Sequence, residues 1–149
     1  MGIYNCASTL VEALDSILNQ TYTDWELIMC DDGSSDKTYE IAKKYIQQHP
    51  ECRFKLIKHS NNKGLNQTLN DCLKVAKGEY IGRMDADDIS LPTRFEKEIA
   101  EFEKDPNLSV VSCPMIYFDE NGDWGVGKCS DIYPEKKNLV FGTEEIRID

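Results

Sequence analysis

Residues 80–88 read YIGRMDADD, an apolar run that ends in three carboxylates within four positions, Asp85, Asp87 and Asp88. Like charges packed this closely repel one another, and a solvated turn gives them no reason to gather. A hard divalent cation does, because it takes oxygen ligands and keeps positions open for phosphate oxygens. The same device occurs earlier, where the strand-like Trp25-Glu26-Leu27-Ile28-Met29-Cys30 delivers Asp31 and Asp32 just ahead of Gly33-Ser34-Ser35. Two strands ending in acid pairs predict one crevice at the carboxyl edge of a sheet, where open α/β sheets bind their ligands.

The surrounding pattern supplies the elements that would hold those acids. Met1 to Asn5 reads as the end of a strand, and a helix follows from Thr9 to Asn19. Its signals are a Thr9-x-x-Glu12 capping box and an apolar face of Leu10, Leu14, Ile17 and Leu18. A strand at 25–30 leads to Asp36, placed to cap a second helix that carries Ile41, Ala42, Tyr45 and Ile46 and stops at His49-Pro50. Arg53–His59 alternates as a third strand. Asn61-Asn62-Lys63-Gly64 concentrates turn formers, and a helix over 66–76 ends at Lys77-Gly78 with glycine expected in the left-handed region. The acid-bearing run is expected as strand four. A helix from Pro92 to Asp105 and a strand from Val110 to Phe118 follow, and Asn121-Gly122 reads as a hairpin turn. Strands alternating with helices in this way predict a mostly parallel, layered α/β sheet.

Several chemistries are excluded by what the chain does not contain. Neither GxGxxG nor GxxxxGK[ST] occurs, which argues against dinucleotide dehydrogenases and P-loop enzymes, and no GxSxG elbow is present. The stretch from Asp119 to Ser130 resembles a calcium loop only superficially, since Trp124 stands where glycine is needed and Ser130 where glutamate is. A net charge of −10 over 149 residues repels phosphate backbones, so nucleic acid is not an expected partner. The six cysteines, at 6, 30, 52, 72, 113 and 129, form no CxxC pair and have no histidine at ligand spacing. They read as reduced thiols of a cytosolic protein. His49 and His59 carry no signal of their own at this level. No apolar run approaches the ~18 residues of a membrane span.

The order and spacing of YNCAS near the start, LNQTYTDWELIMCDDGSSDKT, and NKGLNQTLNDCLKVAKGEYIGRMDADDISLPTRFEKE resemble family 2 glycosyltransferases of the GT-A fold. The resemblance runs from residue 1 to about 118 and rests on both acid motifs and the Leu-Pro-x-Arg that follows them. It implies a Rossmann-like nucleotide-binding half with helices flanking the central sheet. It also implies an inverting, metal-dependent transfer of a sugar from a nucleoside-diphosphate donor, a UDP sugar by expectation, to a glycan or other hydroxyl acceptor. The setting it implies is surface polysaccharide synthesis in the cytoplasm or at the inner face of the membrane.

By the same resemblance Asp87 is the direct ligand of a Mn²⁺ or Mg²⁺ ion, which would stabilise the departing diphosphate. Asp85 faces the ribose or a metal-bound water, and Asp88 supports the turn. Asp32 accepts a hydrogen bond from the base and Tyr4 stacks on it, with Gly2 and Asn5 lining the same strand end. Arg83 is expected to pair with a neighbouring acid, Asp31 to cap or brace the turn, and Lys63 to be a solvated loop lysine or a diphosphate contact. The general base that deprotonates the acceptor is not expected in this chain; Glu144-Glu145 is the only late acid pair, and it comes too early. The 149 residues are accordingly read as one nucleotide-sugar-binding domain, its donor half complete to about 118 and its acceptor half only begun, cut short at both ends. Two other readings stay open: a nucleotide-sugar binding module without turnover, and a sugar-phosphate nucleotidyltransferase, whose glycine-rich, basic N-terminal signature YNCAS lacks.

Overall fold

The computed structural model describes residues 1–105, 107–119, 122–127, 140–141 and 146–148. The apolar run Leu27–Asp31 forms the central strand β2, between β1 (Gly2–Ile3) and β3 (Phe54–Lys58) in a parallel sheet of order β1-β2-β3. The register pairs Gly2 with Cys30 and Leu27 with Phe54. All five β2 residues are buried, as expected of a parallel strand covered on both faces. These elements belong to the first of two compact units, Met1–Asp15 with Asp24–Asp87.

Two helices link the strands, α1 (Leu10–Leu18) and α2 (Thr38–Gln48). They meet where the Tyr45 hydroxyl donates to Asp15 Oδ1 at 2.7 Å. The third helix, α3 (Leu65–Leu73), packs over β2 and β1 and closes a core of Ile28, Cys30 and Cys72 with Ile57 and Ala76 against it. The parallel strands β1, β2 and β3 run side by side and α3 returns over β2 and β1, so the loops after β1 and β2 share the carboxyl edge of the sheet, the edge at which open α/β sheets bind ligands.

The second unit comprises Ser16–Thr23 and Asp88–Asp149. It contains β4 (Asp88–Ser90), α4 (Arg94–Lys104), β5 (Val111–Ser112), β6 (Met115–Asp119), β7 (Gly122–Gly127), β8 (Val140–Phe141) and β9 (Ile146–Ile148). One sheet has the order β4-β9-β6-β7, and β5 pairs with β8. The antiparallel β6/β7 pair matches Asp119 to Gly122, which places Gly122 in the strand; Asn121 of the expected Asn121-Gly122 turn lies outside the described residues. Buried Gln20 holds the start of this unit together: its amide nitrogen reaches the carbonyls of Ser16 (3.1 Å) and Leu91 (2.8 Å), and its oxygen accepts from Phe95 N–H (3.1 Å). No helix among the described residues is long and apolar enough to cross a membrane.

Four local expectations are corrected. Residues 80–84 form no ladder; the acid-bearing strand begins at Asp88 and not before the cluster. Tyr80 and Ile81 stay exposed, so burial does not offset the entropy of ordering a segment bounded by Gly78 and Gly82. Gly78 does not enter the left-handed region, which among the described glycines is taken by Gly33 and Gly64. After Leu73 the chain continues in i→i−3 turns, and Glu26 Oε1 accepts the Lys77 N–H at 2.6 Å, tying the segment beyond α3 to the residue before β2. Thr9 makes no capping box: its hydroxyl donates to the Ala86 carbonyl at 3.0 Å. The strand expected over 110–118 is split into β5 and β6, because Pro114 has no N–H for the ladder.

Candidate active site

The loop after β2 is built around side chains that replace missing backbone partners. Asn5 adopts φ +48°, a conformation asparagine tolerates better than most residues. Its Oδ1 accepts from Ser35 N–H at 2.9 Å, and its own N–H donates to Ser34 Oγ at 3.0 Å. Asp36 ties the same turn to the end of β1, accepting from Ala7 N–H (3.2 Å) and Thr38 N–H (2.9 Å). Gly33 has φ +73°, and a Cβ there would lie 2.7 Å from the Asn61 carbonyl carbon. Only glycine allows the 61–64 loop to lie this close.

Asp32 is the centre of that arrangement. Its buried carboxylate accepts from the Lys63 N–H at 2.8 Å and the Gly64 N–H at 2.9 Å. His59 Nδ1 lies 2.7 Å from its Oδ1. Burial pushes the Asp32 pKa up, but His59, the two backbone N–H groups and the nearby Thr68 hydroxyl outweigh it, so the group is held below the ordinary carboxylate value. Gly64, with φ +88°, opens α3, so one carboxylate fixes both the loop and the helix start.

A cleft of about 300 Å³ opens beside it, lined by Gly2, Ile3, Tyr4, Cys6, Asp32, Asn62, Leu65, Thr68, Asp85, Ala86 and Asp87. The structure thus brings together Gly2, Tyr4, Asp32, Asp85 and Asp87, all expected at one site. Asn5 lies outside the lining and organises the turn instead. Tyr4 is half exposed, with its ring available for stacking. Gly2 keeps the wall thin, since a Cβ would sit 3.1 Å from Leu65 Cδ1.

The second acid motif is held quite differently. Asp85 is gripped by Arg83, whose Nη2 contacts both carboxylate oxygens at 3.1 and 3.0 Å, the pairing expected from sequence. Asp87 is exposed and makes no hydrogen bond or ion pair with the described residues. Asp88 is buried and opens β4. Among the described residues no group of three or more His, Cys, Asp or Glu is placed to hold a metal ion. This donor set still fits Mg²⁺ or Mn²⁺, which are bound through one or two carboxylates together with substrate phosphates.

Some expectations shift. Asp31 does not brace the turn through its side chain; it is fully buried, and neither carboxylate oxygen has a hydrogen-bond partner among the described residues. Lys63 is an exposed loop residue that contributes its backbone N–H. Glu144-Glu145 and Cys129 lie outside the described residues. The other five cysteines are free thiols. Burial, followed by the neighbouring Cys72 and acids, pushes Cys30 up to about 12, as suits a packing thiol and not a nucleophile. Sequence reading missed Cys6, Asn62, Leu65, Thr68 and His59. Asn62, Leu65 and Thr68 come from the turn-forming loop and the start of α3, and their nearness to the β1 end follows only from packing.

The comparisons with known proteins agree with this geometry. The family model described as glycosyl transferase family 2 matches residues 1–149. The chain belongs to glycosyl transferase family 2. Among relatives in that family, EpsE of Bacillus subtilis (strain 168) is 51% identical over 143 residues, which cover 96% of this chain and 51% of EpsE. The chain therefore spans about half the length of that relative. The crystal structure of S. aureus TarS 1–349 in complex with UDP superposes with a TM-score of 0.73 at 25% identity, covering 85% of this chain and 36% of that one. The mannosyltransferase PcManGT from Pyrobaculum calidifontis, in complex with GDP-Man and Mn²⁺, gives a TM-score of 0.68 at 31% identity, over 76% of this chain and 34% of that one. The family's GT-A fold is the α/β architecture expected from the sequence, with its parallel three-stranded sheet and flanking helices.

Proposed function

We propose that this chain carries the donor site of a metal-dependent, inverting glycosyltransferase that uses a nucleoside-diphosphate sugar, with UDP as the nucleotide. The observation that carries this reading is the meeting of Tyr4, Asp32, Asp85 and Asp87 in one cleft at the end of β1 and β2. UDP in TarS, and GDP-Man with Mn²⁺ in PcManGT, lend it support from similar proteins.

In this reading the Tyr4 ring stacks on the base, and Asp32 accepts the base's imide N–H. Gly2, lacking a side chain, lets the nucleoside approach the β1 backbone. Asp87 holds Mn²⁺ or Mg²⁺, and Asp85, oriented by Arg83, faces the ribose or a water of the ion. The bound ion supplies charge stabilisation to the diphosphate as it leaves. A carboxylate with no other partner among the described residues suits that role, since its ligation breaks no bond seen there. The cleft's acids are all committed to the donor, so the base that takes the acceptor's proton lies elsewhere in the protein. The acceptor is a hydroxyl of a glycan, of the kind built into surface polysaccharide, and the enzyme works in the cytoplasm or at the inner membrane face.

A thermal-shift panel tests this reading with UDP, GDP, dTDP and CDP, each with and without Mn²⁺. A ligand that binds the folded state alone raises the melting temperature by mass action. The expected outcome is a Mn²⁺-dependent rise with UDP that exceeds the other three. A rise independent of Mn²⁺, or none with any nucleotide, would overturn the metal assignment or the donor site respectively.

A further inference from the structure

Behind the cleft lies a buried cluster that the donor site does not itself use. His59, just past β3, donates its N–H to the Asp31 carbonyl at 2.8 Å, which seats its ring beside β2. The β2 strand turns Cys30 and Asp32 toward that ring, and α3 brings Asp71 from the other side. Nδ1 lies 2.7 Å from Asp32 Oδ1, and Nε2 lies 3.0 Å from Asp71 Oδ2 and 3.4 Å from Cys30 Sγ. Each ring nitrogen therefore faces a carboxylate oxygen, a group that accepts when ionised. The side chain of His59 is about 4% exposed, so water cannot take over either bond.

Asp71 is held in turn. Lys74 and Gln67 bond its other oxygen, Oδ1, and those two bonds, against the opposing effect of burial, followed by the bond from His59, keep it well below the usual carboxylate range. The result is a chain of fixed donors and acceptors, Lys74 to Asp71 to His59 to Asp32, ending at the cleft wall. Oδ1 of Asp32 accepts from His59 and Lys63 and Oδ2 from Gly64, whereas a carboxylate can accept about four bonds; the nearby Thr68 hydroxyl gives its proton to the Gly64 carbonyl at 3.0 Å and not to Asp32. One place remains.

We propose that His59 is a positioning residue for the donor base, clamping Asp32 from behind so that its remaining acceptor site meets the imide N–H of a uracil-type base in one orientation. This rests on the reading of Asp32 as the base acceptor. It adds that a residue with no contact to the nucleotide sets how well the base is read. Stated geometrically, Asp32 could otherwise rotate about its terminal torsion and spend its oxygens on the loop. The Nδ1 bond fixes Oδ1, so that Oδ2, which accepts the Gly64 N–H, keeps its second acceptor place for the ligand.

The test is titration calorimetry of the full chain with Mn²⁺ and either UDP or N3-methyl-UDP, which lacks the imide N–H. The intact protein should prefer UDP by about tenfold, the worth of one hydrogen bond to a charged acceptor. His59→Gln places its amide near Nε2, reaching Asp71 but not Asp32, and should collapse that preference by weakening UDP alone. His59→Asn places its amide near Nδ1 and should restore most of it. No preference in the intact protein would overturn the base reading and this proposal with it. A preference that survives in His59→Gln would overturn the His59 role and leave the base reading standing. Equal weakening of both ligands, unrescued by His59→Asn, would make His59 merely structural and also overturn it. Should His59→Gln not fold, Asp71→Asn reads the same chain of bonds: the preference should narrow, and an unchanged preference sinks the proposal.

Discussion

The two acid motifs of this chain share one cleft and are prepared in opposite ways. Asp32 is buried and held by two backbone N–H groups and an imidazole before any ligand arrives. Asp87 is exposed and partnerless among the described residues, while its neighbour Asp85 is paired by Arg83. The difference teaches how a site divides its work. A group that reads the shape of a base gains from being fixed in advance. A group that takes up an ion gains from having no bond to surrender.

Removing each acid should expose that contrast most sharply. Asp87→Ala is expected to weaken Mn²⁺-dependent nucleotide binding by about 100-fold, since the ion supplies several kcal/mol of charge stabilisation. Its denaturation midpoint should stay where it was, because an exposed, unpaired side chain contributes within about 0.5 kcal/mol. Unchanged Mn²⁺ dependence in that variant would show that the ion is held by another group. Asp32→Ala should cost both properties: it strands buried donors, so stability falls by about 2–3 kcal/mol in urea denaturation. A full-stability Asp32→Ala would mean that the loop and α3 do not depend on it.

Smaller effects sharpen the comparison further. Tyr4→Leu should cost about tenfold in nucleotide affinity through lost stacking, while Tyr4→Phe keeps it. Equal losses in the two variants would assign the contribution to the hydroxyl instead. Acid pH should act through the braced group and its support. Asp32 and Asp71 have lowered folded-state values, so their stabilising contribution is complete above the ordinary carboxylate value of about 3.9. It is lost as pH falls through the lowered folded values. Urea midpoints of the intact protein and Asp71→Asn should therefore differ at pH 6 and converge under strong acid; a constant gap would break the linkage. Least affected should be Arg83→Gln, which removes a surface ion pair worth about 0.5 kcal/mol or less. A large loss of nucleotide binding there would move Arg83 into the binding machinery.

Much of the molecule was legible because local signals and packing agree. The apolar run of β2, the helical periodicity of α1, α2 and α4, and the paired acids all point one way. The readings failed where a distant partner took over a local role. The chain past α3 is held by Glu26, which accepts the Lys77 N–H, and not by a left-handed Gly78. Thr9 bonds the Ala86 carbonyl and not the first turn of its own helix. Residues 80–84 have strand composition, yet find no ladder. His59 shows this best: a single histidine at a strand end carries no signal until the parallel β2/β3 register sets it beside Asp32 and α3 delivers Asp71.

By itself, the sequence determined most element types, the family, and which acids meet in one cleft. Hydrophobic period and residue chemistry are local properties, readable along the chain. Tertiary structure alone decided which acid is braced and which is left open. It also decided that Asn5 serves the turn and that His59 stands behind Asp32. Those outcomes depend on hydrogen bonds between residues far apart in sequence, whose partners exist only once the strands and α3 have packed.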